Sequence, residues 1–268
     1  MPNIQPVTRA RHASQRWKRS TDYGFASADA LCPLVLQELP KAVLHMPITF
    51  VPGNGGYAVM ALQGLRPGHN HFLDRDKRWL GAYVPAAYRG YPFFMAAAEG
   101  GKQVLCFDED SGLLSSTADG QAFFGEDGQP SPAVAEVLDF LNRIAANRAA
   151  TLRMCEALQK HNLIQPWPIN LHTAAGEQAT EGLFRVDEAA LNQLPADALS
   201  ELRNAGALLG AYCQLLSMQH IPRLGQLADA RAKADALAAT QTEAAPLPVI
   251  GKELDLSFLE GSETLKFF

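Results

Sequence analysis

Apolar and polar positions change their rhythm near residue 131. Before it, short β-prone runs alternate with turn residues. Ile48-Thr49-Phe50-Val51 and Tyr57-Ala58-Val59-Met60-Ala61-Leu62 flank Pro52-Gly53-Asn54-Gly55-Gly56, and two such runs around a glycine-rich turn predict a hairpin. Gln103-Val104-Leu105-Cys106-Phe107 predicts another strand, and Phe123-Phe124 precedes a turn at Gly125-Glu126-Asp127-Gly128. Leu34 to Leu44 is too short and proline-flanked for more than a brief helix. After residue 131 the period becomes helical. Ser131-Pro132 supplies an N-cap and a first-turn residue. Val134, Val137, Leu138, Leu141, Ile144, Leu152, Cys155 and Leu158 then fall on one helix face. This predicts a helix from about 132 to 163, stopped by Gln165-Pro166-Trp167-Pro168.

Further along, Trp167 to Leu171 and Gly182 to Val186 flank a polar loop and are candidates for a second hairpin. A helix from about 195 to 219 follows Pro195, with Leu199, Leu202, Leu209, Tyr212 and Leu216 on one stripe, and Pro222 starts a third. Thr240 to Pro248 reads as a linker. Leu254-Asp255-Leu256-Ser257-Phe258 alternates with period two, as a strand returning to a sheet would. The expected fold is α+β: an antiparallel β-rich part (1–130) packed with a mainly helical part (131–268) closed by a C-terminal strand. The two parts are expected to form one cooperative unit.

Composition narrows the function classes. Of 268 residues, 47% are hydrophobic and 19% charged, enough apolar surface for a core without disulfides or a structural metal. The net charge of −5 gives no global attraction to nucleic acid or anionic membrane. The first twenty residues nevertheless hold Arg9, Arg11, Arg16, Lys18 and Arg19 and no acid. Removing those five from the 23 basic residues leaves 18 against 28 acids, a net of −10 on the remaining 248. Such an arm reads first as a solvated segment folding back on its acidic body, and second as a contact for RNA or an acidic partner. Cys32, Cys106, Cys155 and Cys213 lack the spacing of a disulfide framework or zinc site and read as buried thiols. No signal peptide and no membrane span are discernible, so the expected location is the cytoplasm.

The densest segment is Arg66-Pro67-Gly68-His69-Asn70-His71-Phe72-Leu73-Asp74, then Trp79, then Tyr83-Val84-Pro85-Ala86-Ala87-Tyr88-Arg89-Gly90-Tyr91-Pro92-Phe93. Irregular backbone rich in aromatics marks either a core corner or a recognition surface. The run Asn-x-Phe-x-Asp, a Trp, Tyr-Val-Pro-Ala and Arg-x-Tyr-Pro-Phe resembles the SapC family of bacterial proteins. Pro47-Ile48-Thr49-Phe50, Leu183-Phe184-Arg185-Val186-Asp187-Glu188, Leu202-Arg203-Asn204-Ala205-Gly206 and Leu256-Ser257-Phe258 resemble its other islands, in order. The resemblance implies an association with surface-layer, export or uptake systems and carries no catalytic residue set. It does not extend to His69 and His71, where the family pattern has no histidines.

Two readings of the chemistry follow. Arg89 among Tyr83, Tyr88, Tyr91 and Phe93 suits a guanidinium that clamps a carboxylate or stacks on a ring, with Trp79 beside it. Its structural counterpart is an Arg that ties down proline-rich backbone. The function expected is therefore a SapC-like, non-catalytic binding or accessory protein that recognises a protein or peptide partner, without cofactor. The alternative is a metal-dependent, oxygenase-like enzyme using His69, His71 and Asp74, since positions 69 and 71 share one face of a strand. Nucleic-acid binding through the basic arm stands third. Ser115-Ser116, Ser217 and Gly53–Gly56 fit neither a nucleophile elbow nor a phosphate loop.

Overall fold

The structure is a computed structural model that describes residues 3–53, 55–98, 102–173 and 176–243. The chain divides into two compact units, residues 1–231 and 232–268. Of the second, residues 232–243 are described, as the last turns of the helix Ile221–Glu243.

The fold of the first unit is α+β. Its central antiparallel sheet runs Ile164–Pro166, Phe184–Val186, Ile48–Gly53, Gly56–Leu62, Leu31–Pro33 in spatial order. The predicted hairpin is its middle pair, in register from Ile48↔Ala61 to Gly53↔Gly56. Strands from both sides of residue 130 thus share one sheet. Between Ile48–Gly53 and Phe184–Val186 the ladder holds at Phe184↔Phe50 alone. Side chains of the helix Ala207–Ser217 complete it: Val186 N–H donates to Gln214 Oε1 (2.9 Å), Gln214 Nε2 donates to Ile48 O (3.2 Å), and Ile48 N–H donates to Ser217 Oγ (2.8 Å). Buried backbone groups that lose a strand partner must find another, and this helix supplies it.

A second, smaller layer pairs Ile4–Pro6, Gln103–Asp108 and Phe93–Ala97 in that order, with Arg16–Trp17 between Leu114–Ser115 and Gln121–Ala122. It encloses an aromatic core of Trp17, Phe93, Phe107 and Phe123. The rings meet edge to face, with centroids 4.7 Å apart for Trp17–Phe93, 5.0 Å for Phe93–Phe107 and 5.2 Å for Phe107–Phe123. His12 is buried against Phe123, accepts Thr8 N–H at Nδ1 (3.3 Å), and has its pKa pushed down by burial.

The basic arm is therefore no solvated tail. Its apolar residues enter sheet and core, while three of its five cations stay outside and pair with acids of the body: Arg11 with Glu109 (2.5 Å), Lys18 with Asp119, Arg19 with Glu136 (3.2 Å); half-buried Arg16 donates to Gly120 O (3.1 Å) instead. The charge asymmetry at the N-terminus is answered within the chain at these three positions, which withdraws the argument for a nucleic-acid contact there.

The long helix Pro132–Lys160 opens with Ser131 Oγ accepting Val134 N–H (3.3 Å) and links the two cores. Val134 lies in the aromatic cluster, and Met154, Cys155 and Leu158 lie in the main one. Leu152, expected on the apolar stripe, is exposed. Thr151 and Asn147 turn inward instead, and their side-chain oxygens accept Leu36 N–H (2.8 Å) and Gln37 N–H (3.0 Å). Those bonds anchor the 3₁₀ turn Leu36–Glu38 and the short helix Leu39–Ala42 that follows.

Three further expectations need correction. The helix of 195–219 is two, Ala196–Asn204 and Ala207–Ser217, separated at Gly206, whose φ of 72° breaks the helical path. In the second of them the large residues of the expected stripe face outward: Leu209, Tyr212 and Leu216 are about half exposed or more, while Ala207, Gly210, Ala211, Gln214 and Ser217 are buried. A Cβ at Gly210 would lie 2.3 Å from Met154 Sδ, so close approach to the long helix selects the small face. The second hairpin is nested: Ile164–Pro166 pairs with Phe184–Val186, and Ile169–Thr173 with Gly176–Thr180. Thr240–Glu243, read as linker, are helical. The remainder of that linker and the strand of 254–258 lie outside the described residues. All four cysteines are buried free thiols, and burial pushes Cys155 up to about 12. Among the described residues no helix is long and apolar enough to cross a membrane.

Candidate functional site

The aromatic segment is built on Gly64. A Cβ there would sit 1.8 Å from His69 O, so only glycine lets the chain fold back on itself at this point. Asn70 is buried inside the loop, donating to Ala26 O (3.1 Å) and Gln63 Oε1 (3.1 Å) and accepting Phe72 N–H (3.0 Å). The Tyr88 hydroxyl lies 2.8 Å from Gln63 Oε1 and 3.1 Å from Asp29 Oδ2, and burial pushes its pKa far up. Tyr88 therefore works as a neutral donor in the core. Trp79 stacks on Phe72 (5.4 Å) and donates its indole N–H to Tyr83 O (2.8 Å). Trp79 is a scaffold residue that sets the position of Tyr83.

The candidate metal residues do not converge. His69 Nδ1 lies 3.2 Å from Pro67 O, and His71 is half-buried with its pKa pushed down, mainly by burial. Asp74 Oδ1 accepts Arg78 N–H (2.8 Å) and so closes its own turn. Strand parity would have joined 69 and 71, but the segment is a folded loop. Among the described residues no group of three His, Cys, Asp or Glu is placed to hold a metal ion.

A different constellation forms around Arg89. The helical turn Ala86–Arg89 follows Pro85, and its first amide, Ala86 N–H, donates to Glu38 Oε2 (2.8 Å). Tyr83 donates its hydroxyl to the same oxygen (2.7 Å), and Val35 N–H donates to Oε1 (2.8 Å). Glu38 is 5% exposed, so this carboxylate is held in the cleft wall by three donors. Burial and then Glu38 push the Tyr83 pKa far up, so its hydroxyl keeps its proton.

The Arg89 guanidinium itself is exposed. It lies 5.1 Å from the Phe140 ring centroid and 5.8 Å from that of Tyr83. Its side chain interacts with that of Tyr83, and among the described residues it makes no ion pair and no bond to a backbone carbonyl. The cleft between this turn and the long helix encloses about 380 Å³, with Lys41, Arg143, Ile144 and Asn147 on its walls. Two further depressions share Arg89 with it. One runs along Arg19, Glu136 and Asp139, and the other along Tyr23, Phe25 and Tyr91.

Of the residues proposed from sequence, Arg89 and Tyr83 line this cleft. Tyr91 lies in an adjoining depression, stacked on Phe25 at 3.8 Å and 13°. Phe93 is 2% exposed and belongs to the aromatic core, so it backs that same depression from within. Strand alternation turns it inward. The sequence reading missed Glu38, Lys41, Phe140, Arg143 and Asn147. Only Glu38 carried a local signal, as the single acid in the apolar run Leu34-Val35-Leu36-Gln37-Glu38-Leu39.

A family model described as SapC matches residues 7–224 of the chain. No curated protein and no solved structure matches it.

Proposed function

The chain belongs to the SapC family, and from that premise we propose that it is a non-catalytic binding or accessory protein that recognises a protein or peptide partner through the cleft at Arg89. The family association extends the proposal to a partner from a surface-layer, export or uptake system. One observation carries the reading. Arg89 is exposed and lies within cation–π distance of two rings, while the nearby amide that needs a partner, Ala86 N–H, is satisfied by Glu38. The backbone of the segment is thus held without Arg89, which, apart from its interaction with the Tyr83 side chain, leaves the guanidinium's donors for a ligand.

The test compares stability and binding in one variant. Exposed cation–π contacts contribute about 0.5–1 kcal/mol, which in a domain of this size is a melting shift of about 1–4 °C. Arg89→Ala is expected to stay within that shift and to lose the partners that wild type retains in affinity capture from the native cell. A variant that unfolds, or one that retains the same partners, contradicts the proposal.

A further inference from the structure

Resting on that reading of the cleft, we infer that its ligand group is a single negative charge, a peptide carboxylate set against the Tyr83 and Phe140 rings. Charge balance points there. Arg143 is already paired with Asp139 at 3.1 Å, one turn along the helix, and contributes no net charge. Lys41 and Arg89 stand exposed on the cleft with no ion pair among the described residues. Against these two cations the wall offers one carboxylate, Glu38, whose oxygens are taken by Val35 N–H, Ala86 N–H and the Tyr83 hydroxyl. The remainder is one positive charge, which a monoanion balances and a phosphate dianion over-compensates beside a buried carboxylate.

Shape agrees with charge. The guanidinium is a planar fork of five N–H donors, with Phe140 and Tyr83 rings 5.1 and 5.8 Å from its central carbon and the Tyr83 side chain within its hydrogen-bonding reach, so most of its donors remain for a ligand. A carboxylate meets such a fork with two parallel hydrogen bonds. The depression that adjoins at Phe25 and Tyr91 offers a second stacked pair of rings for a neighbouring side chain of the same peptide. An acidic residue next to an aromatic or aliphatic one, within an extended peptide, matches both.

Isothermal titration of the full chain with two tripeptide libraries tests this. Both are blocked at each end and flanked by Phe, Tyr, Leu or Ala. One has Glu at the centre and the other Gln. Glutamate members are expected to bind about tenfold tighter or better, the value of one charge-assisted hydrogen bond. Arg89→Gln and Lys41→Gln should each shrink that preference, and inorganic phosphate should compete no better than acetate. Equal binding of Glu and Gln members, phosphate outcompeting acetate, or no binding at millimolar peptide overturns the inference. Binding that depends on Arg89 but ignores Glu sinks the carboxylate and leaves the cleft reading standing. Binding indifferent to Arg89 sinks both.

Discussion

Glu38 shows how a single side chain fixes the site. Its carboxylate accepts from two backbone amides and a phenol in a place almost closed to solvent. Glu38→Gln keeps the shape but replaces one acceptor oxygen with an NH₂ that faces a donor. Each buried donor left without a partner costs about 1–3 kcal/mol, so urea denaturation is expected to show a loss in that range. Tyr83, no longer held, should also weaken any Arg89-dependent binding. A Glu38→Gln protein as stable as wild type would show that the three bonds are not formed together. At this scale the sequence singled out two residues that line the candidate cleft, Arg89 and Tyr83, because an Arg among aromatics stands out locally. Phe140 and Asn147 escaped, because they reach the cleft only through the packing of a distant helix, and nothing around them in sequence marks them.

Among the elements, the N-terminal segment departs most from its sequence reading. Its charges were legible, but the strands that place it, Ile4–Pro6 and Arg16–Trp17, are too short to show an alternation. Trp17, 1% exposed, fills the aromatic core. Large-to-small replacement of such a side chain costs about 3–5 kcal/mol. Trp17→Ala should therefore lose stability on that scale in chemical denaturation, and removal of residues 1–18 should leave no cooperative transition. A truncated chain that melts within a few degrees of wild type would restore the solvated arm. The helix Ala207–Ser217 was misread for a related reason. An apolar stripe ranks faces by hydrophobicity, whereas contact with Met154 ranks them by size, and Gly210 wins where Leu209 and Tyr212 cannot fit. The hairpin at Ile48–Leu62 and the start of the long helix were legible because turn glycines and a Ser-Pro cap act locally.

Across the first unit, the long helix ties an aromatic core to a larger aliphatic one, and the cleft opens where its first half passes the Ala86–Arg89 turn. The α+β class could be read from the change of period. The sheet that joins strands from both sides of residue 130 could not, because long-range pairing leaves no local trace. Whether partners engage this cleft is most directly read by site-specific photocrosslinking. A benzophenone amino acid placed at Phe140, on the cleft, should give adducts with captured partners, and these should disappear when Arg89→Ala is added. The same probe at Leu152, an exposed position farther along that helix, should give none. Equal adducts at 152, or adducts at 140 that survive the loss of Arg89, would contradict recognition at this site.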